Sequence, residues 1–320
     1  RYHAQTISCP TCGPSYSLFD KKGIKKQDTD PIRSFAEELD DGKIGVIKSW
    51  GGMHLCCTLD QIPSFREWYH RPQKSFAVMV QDIETVEELA HITDDQKVLI
   101  TSAQRPVVLL KKKNEMNIAP GLEYIGLFLP YSPVHYLLFD ALDTNALVMT
   151  SANIPGEPMI TENKQVFQLN ADMYLLHNRR IPNRVDDTVV KLWKKNTFFI
   201  RKSRGFVPDP IAVSYDKNIV SVGPGENVTG ALSVHNQLYL TQYIGKTSSY
   251  EALSFLEESL NHLMKLTMEE KQVDAVAMDI HPSYETKMIA KRISEKFDAP
   301  LFSFQHHWAH GASLLLDAQK

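Results

Sequence analysis

The chain has 320 residues, 43% of them hydrophobic and 23% charged, which excludes a largely disordered protein and suggests two domains. Its 35 Lys and Arg residues nearly balance 38 Asp and Glu residues, and the formal charge of −3 disfavours binding to nucleic acid. No apolar run reaches the roughly 20 residues that cross a bilayer, and none opens the chain as a signal peptide would. We therefore predict a soluble, cytoplasmic protein without a membrane partner.

The chain contains four cysteines in two pairs, which is too few for a disulfide framework. Cys9 and Cys12 have the C-x-x-C spacing of half a zinc site, and His3 is a candidate third ligand. Because a structural zinc site needs four ligands and the chain does not begin with methionine, we interpret this segment as part of a zinc knuckle whose other half is missing. The alternative is an exposed C-x-x-C without metal. Adjacent Cys56 and Cys57 are predicted to be ordinary buried small side chains.

From about residue 44 to 207, short β-rich runs alternate with amphipathic stretches, which predicts a mixed α/β domain. Helices are predicted at 31–39 and 83–89, and strands at 44–48, 76–80, 106–110, 147–150, 173–176 and 188–193. Pro208 and Pro210 mark the end of this domain, because proline removes backbone donors.

The remainder of the chain is more regular. Strands are predicted at 219–222, 231–234, 238–242, 275–280 and 301–304, and helices at 249–266, at 285–297 and from about 307. This β-β-β-α-β-α-β-α order is typical of one lobe of a ribonuclease H-like or actin-like ATPase domain.

One candidate anion site begins at the end of the predicted strand 44–48, in the first domain. Lys48 supplies charge there, and Gly51 and Gly52 would let backbone amides approach an anion closely. The alternative is a simple turn, which is what most Gly-Gly pairs form.

Further polar and cationic residues lie at the ends of other predicted strands. Arg71 and Lys74 precede one strand, whereas Thr150, Ser151 and Asn153 end another. Strand ends are where ligands bind in α/β sheets. Taken singly, each residue is more simply a turn or surface position; together they suggest a concave site for an anion.

The first domain also closes with a group of cations. Arg201, Lys202 and Arg204 fall within four residues, and they complete a predicted site for a nucleotide and a small acyl group. Upstream, Asp186 is predicted to pair with an arginine, and Thr188 is a candidate ligand contact.

A histidine cluster stands out in the second part of the chain. His306 and His310 are four residues apart, so on a helix they share a face and are candidate ligands of one metal ion. Asp279 ends the preceding strand and is a candidate further ligand. Because His307 stands where a zinc protease has its glutamate, the metalloprotease interpretation lacks a general base.

Nine short motifs occur along the chain: CPTCGP at 9–14, GGMHL at 51–55, KSFAVM at 74–79, LPYSPVH at 129–135, MTSAN at 149–153, GEP at 156–158, RVDDTVV at 184–190, RKSRG at 201–205 and QHHWAH at 305–310. In this order the motifs resemble those of the HypF family of hydrogenase maturation carbamoyltransferases. The resemblance implies an α/β (α+β) chain: a remnant of the zinc-finger region at 1–14, a YrdC-like twisted mixed sheet at 15–212, and a truncated Kae1-like lobe at 213–320.

The resemblance also implies a reaction. The family forms carbamoyl-adenylate from ATP, with Mg, and carbamate released from carbamoyl phosphate. It then passes the carbamoyl group to the C-terminal cysteine of a partner maturation protein, towards the cyanide ligands of nickel–iron hydrogenase.

Residue roles follow from matching the motifs position by position. The candidate catalytic cations are Lys48, Arg71, Lys74 and Arg201. Candidate contacts to nucleotide or carbamoyl-adenylate are Gly51, Gly52, His54, Thr150, Ser151, Asn153, Thr188 and Arg204. Cys9 and Cys12 would bind zinc, and His306 and His310 a divalent Fe or Zn ion.

Several positions depart from the family pattern, and two rival hypotheses stay open. Tyr69 replaces a usual lysine, Ser75 a usual proline, and the segments 49–50 and 223–229 and Lys246 also differ. One rival is a YrdC-type threonylcarbamoyl-adenylate synthase for tRNA modification. The other is a nucleotide-binding scaffold that has lost catalysis.

Overall fold

The computed structural model describes residues 13–268 and 272–317, and the chain divides into two units. The first unit comprises Arg1–Ile154 and Met159–Arg201, and the second comprises Pro155–Pro158 and Lys202–Lys320. Cys9, Cys12 and His3 lie outside the described residues, so the predicted zinc knuckle remains a prediction.

A mixed sheet of eleven strands forms the first unit. Its strands are β1 (Tyr16–Asp20), β2 (Gly45–Lys48), β3 (Met53–Thr58), β4 (Ala77–Val80), β5 (Ala90–His91), β6 (Val107–Lys112), β7 (Tyr124–Phe128), β8 (Ala146–Ser151), β9 (Met173–His177), β10 (Val189–Trp193) and β11 (Asn196–Arg201). They lie in the order β1-β9-β2-β3-β8-β4-β7-β6-β10-β11, with β5 paired to β6.

Helices cover both faces of this sheet. They are α1 (Pro31–Asp40), α2 (Ile62–Trp68), α3 (Ile83–Leu89), α4 (Asp94–Thr101), α5 (Pro133–Ala141) and α6 (Asn163–Val166), with 3-10 turns at Leu59–Gln61 and Phe167–Leu169. On one face Phe35 of α1 packs in the same core as Leu138 of α5, and on the other Phe65 of α2 is fully buried. Two covered faces explain why the central strands β2, β3 and β9 are buried along their whole length rather than at alternate positions.

Strand β3 shows this double burial most clearly. All six of its residues are buried, and successive side chains point to opposite faces of the sheet. Cys56 therefore lies in the core beneath α1 and α5, and Cys57 in the opposite core. Burial raises the pKa of the Cys57 thiol to about 12 and that of Cys56 well above its usual value. Both cysteines are buried, as predicted.

The second unit contains a smaller sheet of six strands. Its elements are β12 (Ile211–Ala212), β13 (Ile219–Ser221), β14 (Ala231–Val234), β15 (Gln237–Leu240), α7 (Tyr250–Thr267), β16 (Ala275–Asp279), α8 (Thr286–Phe297), β17 (Leu301–Phe304) and α9 (His306–Asp317). The strand order is β12-β15-β14-β13-β16-β17, with β13, β16 and β17 parallel. The order of strands and helices predicted from residue 219 onward is confirmed, as is the α/β fold class, and the structure adds the short strand β12 before them.

Sequence patterning explains the main helix of this unit. Ser249 caps α7 by accepting a hydrogen bond from the backbone of Ala252, and Leu256, Leu260 and Leu263 are buried at helical spacing. Within residues 13–268 and 272–317, the helices are all too short or too polar to span a membrane.

Candidate active site

Three cations of the first unit lie near one another, and two of them, Lys74 and Arg201, interact with the carboxylate of Asp186. We call Arg71, Lys74 and Arg201 the cation cluster. Nη1 of Arg201 lies 3.8 Å from Oδ2 of Asp186, and the hydroxyl of Ser151 donates to Oδ1 of the same carboxylate at 2.7 Å. An ion pair of Asp186 was predicted because Arg184 stands close to it in the sequence, and the structure shows an ion pair with Arg201. Four predicted site residues thus lie close to one another around Asp186 or its cation partners: Arg71, Lys74, Ser151 and Arg201.

Within the cation cluster, Lys74 has the most strongly shifted pKa. Burial, together with the positive charges of Arg71 and Arg201, lowers the pKa of Lys74 to about 8, whereas Asp186 acts in the opposite direction. An ammonium group that is desolvated beside two other cations is poised to bind an anion.

The sheet topology explains how these residues meet. Ser151 ends β8, and Lys74 lies just before β4, which runs antiparallel to β8. Arg201 ends β11 opposite Val189, and Asp186 lies three residues before that position. The site therefore draws on strand ends separated by more than a hundred residues.

Arg66, whose role was not predicted from the sequence, organises the loop that carries two of the cations. It is 6% exposed on α2, and its guanidinium lies 4.5 Å from the ring centre of Phe76. It donates hydrogen bonds to backbone carbonyl oxygens of two loops, those of Arg71, Pro72 and Lys74 and those of Asn117 and Ile118. A forked, planar group is needed to reach both loops at once.

We expect Arg66→Lys to lower the free energy of unfolding by about 2 kcal/mol, because a single ammonium would lose at least two hydrogen bonds worth about 1 kcal/mol each. Urea unfolding measures this change. Arg33→Lys, at an exposed arginine paired with Asp30, is the control and should shift stability by less than about 0.5 kcal/mol. An Arg66→Lys midpoint equal to wild type would contradict the role of Arg66.

Lys48 belongs to a different, buried network. Its ammonium donates to Oδ1 of Asn163 at 2.6 Å and to the carbonyl of Arg179 at 2.7 Å, and burial lowers its pKa. His177 accepts from the amide of Arg179 and donates to the carbonyl of Ser49, and burial lowers its pKa to about 4. None of these partners belongs to the cation cluster. The contacts connect the turn after β2 with the segment after β9.

The glycines of that turn are explained by close packing within the chain. A Cβ on Gly51 would lie 2.9 Å from the carbonyl oxygen of Val185, whose amide donates to the Gly51 carbonyl. A Cβ on Gly52 would overlap the side chain of Met159. Residues 184–188 thus lie directly against this turn.

A buried histidine–carboxylate pair lies beside the same segment. Nε2 of His54 is 3.1 Å from Oδ2 of Asp187, and both side chains are almost fully buried. Nδ1 of His54 is buried and has no hydrogen-bond partner in the described part of the chain. Thr188 is also buried, and its carbonyl accepts from the amide of Val107 at 2.8 Å.

The remaining predicted contacts fall into two places. Thr150 is buried in β8, and Asn153 lies just beyond that strand, next to Tyr69. Arg204 is buried and belongs to the second unit.

The two histidines of α9 are arranged as ligands of one metal ion would be. Their Nε2 atoms are 3.1 Å apart, close to the roughly 3 Å between two nitrogens that each lie about 2 Å from one metal. Nδ1 of His306 lies 2.7 Å from Oδ2 of Asp279, the outer contact that orients a metal-binding imidazole. Two imidazole nitrogens fit part of the coordination of a divalent ion. Among the described residues, no third His, Cys, Asp or Glu side chain completes a metal-binding group.

We expect His306→Ala to weaken zinc binding by the second unit at least about tenfold, since removal of an outer partner alone has that effect. Zinc titration of the full chain by calorimetry measures this. His307→Ala is the control, because the neighbouring side chain points to another side of the helix. Equal affinity of wild type and His306→Ala would exclude His306 as a ligand.

Comparison with known proteins agrees with this architecture. Residues 37–203 match the Sua5/YciO/YrdC family model, described as telomere recombination; residues 214–317 match the HypF Kae1-like domain, and residues 1–19 the HypF finger. The chain is 43% identical over 313 residues to a probable carbamoyltransferase HypF of Methanocaldococcus jannaschii, covering 94% of this chain and 40% of that protein. It is 33% identical to carbamoyltransferase HypF2 of Cupriavidus necator, covering 95% and 41%.

Solved structures give the same result. The HypF structure from T. kodakarensis superposes with a TM-score of 0.92 at 40% identity, covering 100% of this chain and 43% of that one. A full-length HypF in a phosphate- and nucleotide-bound form gives 0.88 at 34% identity, covering 100% and 42%. P. abyssi Sua5 shares only the fold, with a TM-score of 0.52 at 17% identity and coverage of 88% and 97%. The chain spans about two fifths of its HypF relatives, and it belongs to the HypF family, with a HypF finger match, a YrdC-like domain and part of a Kae1-like domain.

Proposed function

We propose that the first unit forms carbamoyl-adenylate from ATP and carbamate. A carbamate oxygen attacks the α-phosphorus of ATP, the bond from that phosphorus to the oxygen bridging towards the β-phosphate breaks, and pyrophosphate leaves with the electron pair. The product is a mixed anhydride of carbamate and AMP. No oxidant or reductant is required, so the protein must chiefly position two anions and stabilise the charge on the departing pyrophosphate.

The cation cluster is the observation that carries this proposal. Three positive side chains converge on one place, and the partial burial of Lys74 makes an anion a favourable partner. Asp186 holds Arg201 and Ser151 in fixed positions until a substrate arrives. We infer that the triphosphate binds the cations and that Ser151, Thr150 and Asn153 contact the acyl group and ribose.

The comparisons support the same assignment. The relatives named above are described as carbamoyltransferases, and one solved HypF is described as phosphate- and nucleotide-bound. On this basis we propose that the complete protein acts in the cytoplasm, takes carbamate from carbamoyl phosphate, uses Mg with ATP, and transfers the carbamoyl group to the C-terminal cysteine of a hydrogenase maturation partner. We further propose that Cys9 and Cys12 bind zinc, that His306 and His310 bind a divalent Fe or Zn ion, and that residues 15–212 and 213–320 are the two domains.

Exchange of radioactive pyrophosphate into ATP, with ammonium bicarbonate as the source of carbamate, tests the reaction. We expect exchange that depends on bicarbonate and ammonium and does not require L-threonine. Exchange that requires L-threonine would show that the acyl group is threonylcarbamate and not carbamate. ATP binding without exchange under either condition would contradict the proposed chemistry of this chain and favour a nucleotide-binding scaffold.

A further inference from the structure

Tyr69 lies where the loop of the cation cluster meets the end of β8. Its side chain is 7% exposed, and its ring stacks on Trp68 at 6.0 Å and packs on Phe65 at 5.7 Å between ring centres. Phe65 is fully buried, so the position of Tyr69 is set by the core. We propose that Tyr69 is a positioning residue of the adenylation site, which orients Asn153 through its hydroxyl and Lys74 through its ring; this inference rests on the proposed function.

The hydroxyl of Tyr69 determines how the amide of Asn153 is turned. It lies 3.3 Å from the carbonyl oxygen of Asn153 and 3.4 Å from Oδ1 of the same residue, so one proton is shared between two acceptors. Nδ2 of Asn153 donates in the opposite direction, to the carbonyl of Ile154 at 3.0 Å. Burial raises the pKa of Tyr69, so the hydroxyl keeps its proton at neutral pH. Together these contacts fix which end of the Asn153 side-chain amide carries the oxygen and which carries the nitrogen.

The ring of Tyr69 contacts two members of the cation cluster. The ammonium of Lys74 is 5.2 Å from the ring centre, and the guanidinium carbon of Arg71 is 5.9 Å from it. Both distances fall within the range in which the negative face of an aromatic ring attracts a cation. The ring therefore favours the charged form of Lys74, which burial and the neighbouring positive charges disfavour.

The two contacts can be removed separately. Tyr69→Phe removes the hydroxyl and keeps the ring, whereas Tyr69→Leu removes both while retaining an apolar side chain. Tyr174→Phe is the matched control, since the hydroxyl of that buried tyrosine donates to the carbonyl of Phe167 at 3.4 Å. All three variants are made in the full chain, with thermal melting to verify folding.

Pyrophosphate exchange with ammonium bicarbonate measures the effect on Asn153. We expect Tyr69→Phe to raise the bicarbonate concentration at half-maximal exchange about three- to tenfold, the loss associated with one hydrogen bond, while that for ATP stays within about twofold. Tyr174→Phe should leave both values unchanged. Wild-type values for both substrates in Tyr69→Phe would overturn the role of the hydroxyl.

Two further measurements do not depend on activity. The pH dependence of Lys74 acetylation, followed by mass spectrometry, should be unchanged in Tyr69→Phe and should shift down by about 0.5 to 1 pH unit in Tyr69→Leu, because the attraction of the ring is lost. The side-chain amide NMR signal of Asn153 should move in Tyr69→Phe. If wild type shows no exchange, the proposed function fails, yet these signals still decide the role of Tyr69. An unmoved amide signal or an unshifted Lys74 profile would overturn it.

Discussion

Arg201→Ala is expected to reduce pyrophosphate exchange at least about 100-fold, the loss seen when a group that stabilises developing charge is removed. The same substitution removes a cation that pairs with Asp186 and leaves this carboxylate near Lys74, so the local charge becomes less favourable for ATP. Because Arg201 is half exposed at the end of β11, we expect the fold to be retained. Initial rates of exchange, together with thermal melting, measure both expectations.

Arg33→Ala is the matched control for this variant. Arg33 is an exposed arginine whose side chain lies 3.7 Å from Asp30, almost the same separation as between Arg201 and Asp186. Exchange by Arg33→Ala should equal that of wild type, which shows that an arginine–aspartate pair in itself is not the requirement. Normal exchange in Arg201→Ala at an unchanged melting temperature would remove Arg201 from the site.

Exchange is also expected to decline as the pH rises through about 8, the pKa to which burial and two neighbouring cations lower Lys74. Above this pH the ammonium loses its proton, and the rate should fall about tenfold for each further pH unit if the charged form alone is active. Lys74→Arg should retain its charge throughout, because the arginine pKa exceeds about 12. A pH–rate profile of the two proteins between pH 6 and 10 measures the difference.

Raising the pH above about 8 is expected to affect stability and activity in opposite directions. Between about pH 8 and the ordinary lysine value of 10.5, the unfolded chain holds a proton at Lys74 that the folded chain has lost. Stability therefore rises with pH in this window while activity falls. If the pH–rate profiles of wild type and Lys74→Arg were parallel, a group other than Lys74 would control the pH dependence of exchange.

Much of the fold was predictable because its elements carry simple patterns. Strands such as β9 and β14 are short apolar runs bounded by turn residues, and α7 shows helical spacing behind a serine cap. Strand β3 was missed because it is buried on both faces and includes a histidine and a threonine, so neither alternation nor a purely apolar run marks it. Helix α5 was missed because Pro133 indicates a turn, although proline is tolerated in the first helical turn.

The site was predictable where position along a strand implies proximity. Lys74, Ser151 and Arg201 were identified at strand ends, and the sheet brings them to the same carboxylate. The partners of Lys48, in contrast, lie 115 and 131 residues away, and no local pattern marks them. Arg66 was missed for a related reason: arginine on a short helix is normally exposed, and its burial depends on loops that fold back over it.

The burial of the adjacent cysteines of β3 bears on the proposed transfer of a carbamoyl group to a thiol. An activated carbamoyl group reacts with a thiolate, and a thiol with a pKa of about 12 supplies almost none at neutral pH. Cys56 and Cys57 are further separated from any reactive intermediate by the two cores that enclose them. In the proposed reaction, the activated carbamoyl group would therefore not acylate these two thiols and would remain available for the cysteine of a partner protein.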